Sequence, residues 1–362
     1  MQEAYLSDTA GAYYPSFEKL GGFALENIFE DILIATRKES GLTLEKPETL
    51  ELACVIKLDR GYPLVMTRQG PIRAEHAIAL VKQTESRAVI GDWLLLRRPD
   101  AHDKAIIEAI VPRRSEFSRW DKSSTANEQV LAANIDTVFV MVTLNKKPLT
   151  YASLERMVKS VVIAKEARCE VAIVLTKADR KKHEEDLAED IQTIKRVVPD
   201  LELIVTSSYT AQGLQELKAS LDEKEIAVVL GESGAGKSSL INALLERDEL
   251  QVGTVRERDD KGRHTTVARE MISIPHAGIL IDAPGLRSIP LVQHEDGLKM
   301  TFPEISEAAL RCKFSDCSHQ NEPGCSVQEL VSLGTIDPLR LELYSRIQDE
   351  MIKSKMLLDP SV

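Results

Sequence analysis

Several things are scarce in this 362-residue chain, and each scarcity narrows its class. No stretch approaches eighteen consecutive apolar residues, and Met1-Gln-Glu-Ala carries no basic run, so neither a membrane span nor a secretion signal is expected and the protein is placed in the cytoplasm. Cysteine occurs only five times, and three of the five fall with a histidine within fourteen positions, a density that suits a metal better than a disulfide framework. Positive charge is in deficit: 46 Lys and Arg face 57 Asp and Glu, a net charge of −11. That average conceals unlike parts, because positions 57–122 hold thirteen basic against nine acidic residues while positions 1–50 hold four against nine. A nucleic-acid partner is therefore not excluded for the first of these segments. With 43% apolar and 28% charged residues, the chain has the composition and length for two or three domains with cores of their own.

What is present begins with a phosphate loop. Glu225-Ile-Ala-Val-Val-Leu230 is an apolar run suited to a buried strand, and the leucines after Ser238 recur at helical spacing. Between them lies Gly231-Glu232-Ser233-Gly234-Ala235-Gly236-Lys237-Ser238-Ser239, a match to G-x-x-x-x-G-K-S in the strand-to-helix setting that gives the motif meaning. There the backbone N–H groups of positions 234–238 can ring a β-phosphate at the positive end of the helix, Lys237 can reach the β- and γ-phosphates, and the Ser238 hydroxyl can ligate Mg²⁺. A second strand, Gly278-Ile-Leu-Ile-Asp282, ends in D-x-x-G; Asp282 is expected to hold Mg²⁺ through water and the Gly285 N–H to meet a γ-phosphate.

A third strand runs into Thr176-Lys177-Ala-Asp179, where a carboxylate can accept from guanine N1–H and the exocyclic amine, an arrangement adenine does not offer. A fourth ends at Ser207 and Ser208, which can support the base edge. GTP is therefore the expected nucleotide, and both base-reading loops precede the phosphate loop instead of following it. A kinase or ATPase using the same cradle is the reading that Asp179 argues against. A nucleotide-bound RNA adaptor with negligible turnover is the alternative that composition leaves open.

Near the end, Cys312, Cys317, His319 and Cys325 offer three thiolates and an imidazole, a closed tetrahedral set for one structural Zn²⁺. Cys54 and Cys169 sit among apolar residues and are expected to be buried and unreactive. Four short apolar runs, at 52–56, 62–66, 88–96 and 105–111, fit a small five-stranded barrel. After them, Arg113, Arg114, Arg119 and Lys122 interleave with Phe117 and Trp120, residue types that contact phosphates and stack on bases. Positions 21–38 read as a helix capping the barrel, and 337–357 as a charged helix packed on the cysteine cluster.

These motifs in this order, with Lys261-Gly-Arg-His264-Thr265-Thr266 between the phosphate loop and D-x-x-G, resemble the ribosome small-subunit-dependent GTPase A family, RsgA, from about position 51 to 350. The resemblance implies a multidomain protein: an N-terminal extension (1–50), an OB-fold RNA-binding β-barrel (51–120), a circularly permuted α/β P-loop GTPase domain (121–298) and a mainly helical zinc-binding domain (299–362). It further implies a GTP hydrolase that acts late in maturation of the small ribosomal subunit, binds rRNA, and is stimulated by the subunit. Thr266 would complete the Mg²⁺ shell, with Thr265 beside it, and a monomer is expected.

Two departures stand out. Thr176 occupies a position where the family carries Asn, leaving one hydroxyl to tie the loop together, and the first fifty residues have no recognisable counterpart. Leu286 follows D-x-x-G where Ras-like enzymes place a water-orienting glutamine. His264, with a near-neutral pKa, is the residue expected to orient the attacking water instead.

Overall fold

The computed structural model describes residues 14–44, 47–59, 62–84, 87–100, 102–120, 128–232, 234–246, 269–282 and 291–358. Two short helices open it, α1 (Gly22–Glu26) and α2 (Phe29–Ser40). Then come β1 (Leu50–Leu58), β2 (Leu64–Thr67), β3 (Gly70–His76), α3 (Ile78–Thr84), β4 (Trp93–Arg97) and β5 (Ala105–Ile110). Pairing runs β1-β2-β3-β5-β4 and returns from β4 to β1, so the five strands close into a barrel. The strand absent from the sequence reading is β3: Gly-Pro-Ile-Arg-Ala-Glu-His buries only Ala74, and its apolar alternation is confined to the four residues Ile72 to Glu75. The expected capping helix is α1 and α2 together, broken around Asn27 and Ile28, and Phe17 ahead of them stacks edge-on against barrel residue Trp93 at 5.8 Å.

A hairpin, β6 (Glu116–Trp120) with β7 (Glu128–Ala133), leads into an α/β layer. That layer contains β8 (Thr137–Thr143), α4 (Tyr151–Glu166), β9 (Glu170–Thr176), α5 (Glu184–Val197), β10 (Glu202–Val205) and α6 (Leu214–Ala219). It continues with β11 (Ile226–Leu230), α7 (Lys237–Leu245), β12 (Arg269–Ser273) and β13 (Ile279–Asp282). Its strands order β10-β9-β8-β11-β13-β12, all parallel except β12, and they read as unbroken apolar runs because helices cover both faces. Val138, Val140, Ile173, Val228, Ile279 and Ile281 are almost wholly buried in this core. The outer edge of β12 is also paired, to the end of β1, so barrel and α/β sheet form one continuous hydrogen-bonded surface.

Four more helices follow: α8 (Glu295–Thr301), α9 (Pro303–Ala309), α10 (Ser326–Ser332) and α11 (Pro338–Leu358). Among them Phe302, fully buried, meets Tyr344 of α11 edge-on at 5.7 Å. Arg340 of α11 is anchored on Glu304 at 2.7 Å and on the backbone of α5 and α8, tying this segment to the α/β layer. No helix among the described residues is long and apolar enough to cross a membrane.

Candidate nucleotide site and metal centre

The loops that carry Thr176 to Asp179, Ser207 and Gly231 to Lys237 leave the sheet at the same edge, because β9, β10 and β11 run parallel and these loops follow their C-terminal ends, and Asp282 ends the parallel strand β13 at that edge too. Strand order reverses between β8 and β11, which opens the crevice where doubly wound sheets bind ligands. Beside it, a cleft of about 420 Å³ is lined by Met141, Asn145, Arg156, Gly231 and Glu232.

The phosphate loop occupies the end of β11. Gly231 is required by contact, since a Cβ there would stand 2.9 Å from the Met141 side chain. Gly234 and Gly236 have φ of +79° and +92°, left-handed values that side chains rarely adopt, and around Gly234 the space is open. The turn is closed by Ala235 N–H donating to Glu232 O at 3.1 Å, and α7 starts at Lys237 with Gly236 as its N-cap. Lys237 is 8% exposed and its Nζ lies 3.6 Å from Asp282 Oδ1. Ser238 and Ser239 are partly buried in the first turn of the helix, and Glu232 pairs with Arg156 of α4 at 2.6 Å. A buried lysine facing the carboxylate at the end of the neighbouring strand, under a glycine turn with an open cradle, fits a Mg²⁺-nucleotide, whose phosphates supply the anion for Lys237 and whose metal supplies the cation for Asp282.

Thr176 ends β9, 4% exposed, and its hydroxyl donates to Ala235 O at 2.9 Å. The single hydroxyl thus ties the base loop to the phosphate loop, and Lys177 Nζ makes a second tie to Gly234 O. Lys177 takes φ +60°, and desolvation draws its pKa below the ordinary lysine value. Asp179 accepts from the Ser207 hydroxyl at 2.6 Å, and Ser207, fully buried, is held in turn by the N–H groups of Tyr209 and Thr210. Ser207 therefore orients the carboxylate, while Ser208 is only partly buried next to it.

Sequence reasoning missed the clamp beneath this loop. Lys181 and Asp190 pair at 2.6 Å with side chains 3% and 2% exposed, and Asp190 also accepts from Leu149 N–H. Two charges in a polar helix-loop segment give no sequence signal of burial. Ser233, His264, Thr265, Thr266, Gly285 and Leu286 lie outside the described residues.

The cysteine cluster assembles as expected. The ligand atoms of Cys312, Cys317, His319 and Cys325 lie within 4.8 Å of one another. Cys312 Sγ is 3.9 Å from Cys325 Sγ, and His319 Nδ1 lies 3.6 and 3.5 Å from the same two sulfurs. A tetrahedron with Zn–S of about 2.3 Å and Zn–N of about 2.0–2.1 Å has S···S edges of about 3.8 Å and S···N edges of about 3.6 Å, so the spacings among Cys312, Cys325 and His319 fit zinc, with Cys317 close enough to supply the fourth ligand. The turn between ligands is built by Glu322, whose carboxylate accepts from Ser318 Oγ and from the N–H groups of Ser318, Gln320 and Asn321, which lowers its pKa to about 2. Cys325 also caps α10, accepting from Gln328 N–H. Burial lowers the His319 pKa and so favours the neutral imidazole that a metal needs. Cys54 and Cys169 are buried, and desolvation raises both thiol pKa values, that of Cys169 to about 12.

One expectation is corrected. Phe117 is 1% exposed, inside the core and unable to stack on a base, because β6 alternates and turns it inward between Glu116 and Ser118. Arg113 is committed to Asp92, fully buried, at 2.7 Å, and Arg114 pairs with Asp136 at 3.1 Å. The Arg119 and Trp120 side chains and all of Lys122 lie outside what is described.

A Ras-type sheet whose base-reading strands β9 and β10 precede its phosphate strand β11 defines a circularly permuted P-loop GTPase. The family model for RsgA GTPase matches residues 110–292, and the chain belongs to that family of GTP hydrolases. It is 36% identical over 296 residues to the small ribosomal subunit biogenesis GTPase RsgA of Streptomyces coelicolor, covering 82% of this chain and 79% of that one. To the protein of the same name from Methanosarcina acetivorans it is 38% identical over 264 residues, 73% and 69% of the two chains. Its fold is similar to the crystal structure of YjeQ from Thermotoga maritima, with a TM-score of 0.64, 26% identity, and coverage of 84% and 99%. It is also similar in fold to YloQ, a circularly permuted GTPase, with a TM-score of 0.61, 19% identity, and coverage of 87% and 99%.

Proposed function

We propose that this GTPase acts in biogenesis of the small ribosomal subunit, hydrolysing GTP to GDP and phosphate when docked there and contacting rRNA. The observation that carries the reading is the Thr176–Asp179 loop tied to the phosphate loop through Thr176 and Lys177, in a chain whose relatives are named for that process. In this reading the carboxylate of Asp179, oriented by Ser207, accepts from N1–H and the exocyclic amine of guanine, with Ser208 at the base edge. The phosphate loop, Gly231 to Ser239 with Ser233 included, surrounds the phosphates, and Lys237 exchanges its contact with Asp282 for the β- and γ-oxygens. Bound Mg²⁺ neutralises charge on those oxygens; Ser238 and Thr266 would hold it directly, with Thr265 adjacent, and Asp282 through water. Gly285 would meet the γ-phosphate and His264 would orient the attacking water.

Zinc, held by Cys312, Cys317, His319 and Cys325, keeps the segment between α9 and α10 folded and leaves no open coordination position for chemistry. The division into an extension (1–50), a barrel for RNA (51–120), the GTPase domain (121–298) and a zinc domain (299–362), in a cytoplasmic monomer, belongs to the same proposal. GTP and ATP turnover measured alone, with small subunits and with large subunits tests it. Stimulation of GTP hydrolysis by small subunits alone is expected; equal rates in all three conditions would move the function to a nucleotide-bound RNA adaptor.

A further inference from the structure

The barrel touches the nucleotide site through a row of charges. Lys57 on β1 is in register with Glu270 on β12, and Glu270 is in register with Asp282 on β13. Directly opposed residues of antiparallel strands share a face, with Cβ atoms about 4.5–5.5 Å apart. Lys57, Glu270, Asp282 and, beyond the last strand, Lys237 therefore form a ladder of signs plus, minus, minus, plus. Its outer contacts are both made: Lys57 Nζ to Glu270 at 3.3 Å and Lys237 Nζ to Asp282 at 3.6 Å.

The middle of the ladder opposes two like charges, which is destabilising unless each is neutralised from its other side. Lys57 is built for that task. Its side chain is 24% exposed, its Nζ also donates to Tyr14 Oη at 3.0 Å, and a bulge in the β1–β2 pairing between Val55 and Lys57 occurs where β1 leaves the barrel to meet β12. Next to it, Leu58 pairs with Arg269, whose guanidinium donates to Leu131 O of the β6–β7 hairpin at 3.0 Å. On the side away from β13, the first residues of β12 are thus held by parts of the chain that precede the α/β sheet.

We infer that Lys57, a barrel residue, is a positioning residue for the Lys237–Asp282 pair: by neutralising Glu270 it sets how strongly Lys237 is held by carboxylate and so how readily it turns to a γ-phosphate. The inference rests on the assignment of Lys237 and Asp282 to the phosphate site. Without Lys57, the Glu270 charge adds to that of Asp282, Lys237 is held more firmly, and incoming phosphates meet a more negative wall. Triphosphate binding then loses more than diphosphate binding, because the γ-phosphate brings the added charge closest to Asp282. One unit charge about two strand spacings away corresponds to roughly a fifteenfold change at an effective dielectric near 20 without screening, about three- to tenfold in low salt, and less as salt is added.

The test is equilibrium binding of fluorescent GDP and of a non-hydrolysable fluorescent GTP analogue, with Mg²⁺, to the full-length protein at low and high salt. The variants are K57M, K57R, E270Q and K57M/E270Q, with melting temperatures taken alongside. K57M is expected to weaken the analogue about three- to tenfold, and GDP less, in low salt only. K57R should bind like wild type, and E270Q in the K57M background should restore affinity. A merely structural role for Lys57 would lower the melting temperature without a salt-dependent, E270Q-reversible change in affinity, and that outcome overturns the inference. Failure of the wild type to bind either nucleotide would instead overturn the site assignment on which it rests.

Discussion

The nucleotide site and the cysteine cluster are built in opposite ways. The first gathers residues from Thr176 to Asp282, far apart and in an unusual order, and relies on parallel strand register to bring four strand ends to one edge. The second takes four ligands from fourteen consecutive positions with a single turn organised by Glu322. A site held by a sheet tolerates permutation, because what matters is which strands are neighbours and not which comes first. A site held by a short segment tolerates no such change and, in the proposed reading, would depend on a bound ion to fold. The contrast separates damage to the fold from damage to chemistry.

The largest effect expected on the sheet-held side is from Lys237→Ala. Removing the buried cation that faces Asp282 should lower kcat/KM for GTP by about a hundredfold or more while far-UV circular dichroism stays native. On the segment-held side, Cys325→Ser or a strong chelator should do the reverse. Hydrogen exchange in 310–334 should rise sharply, because this residue is both a proposed ligand and the α10 cap, while nucleotide affinity measured away from any partner should change little. Equal loss of nucleotide binding in that variant would erase the distinction.

A backbone test comes next. Gly213 has φ +68°, and a Cβ there would stand 2.0 Å from Val205 O, so Gly213→Ala should cost about 2 kcal/mol or more of stability and loosen the loop that carries Ser207. Thermal melts with and without GDP would show it. Smaller still is Thr176→Val, which removes one hydrogen bond to Ala235 O and should weaken GDP about three- to tenfold without altering base preference.

Much of this was legible in the sequence because motif and element coincide. Apolar runs such as Glu225 to Leu230 and Cys169 to Leu175 mark strands buried on both faces, and glycines at 234 and 236 mark a turn that needs left-handed backbone. Strand β3 was not legible, since its alternation is confined to Ile72, Arg73, Ala74 and Glu75, behind a Gly-Pro start and with no apolar run. Phe117 was misread for a related reason: basic neighbours suggested an exposed face, but period-two alternation turned the ring inward. The Lys181–Asp190 clamp is a local pair in a polar segment that gives no sign of its burial, whereas the Lys57–Glu270–Asp282 register is long-range, and single-sequence patterns carry no information about which strand edges meet.

The most direct test of the central claim, that a base loop placed before the phosphate loop still forms one guanine site with it, is a base-swap measurement on Asp179→Asn. Xanthine carries a carbonyl where guanine carries an amine, so an asparagine amide can donate where Asp179 accepts. Binding of GDP and XDP should exchange rank, with GDP weakened by about a hundredfold and XDP gaining what GDP loses. If the variant binds both as the wild type does, Asp179 does not read the base and the two loops are not one site.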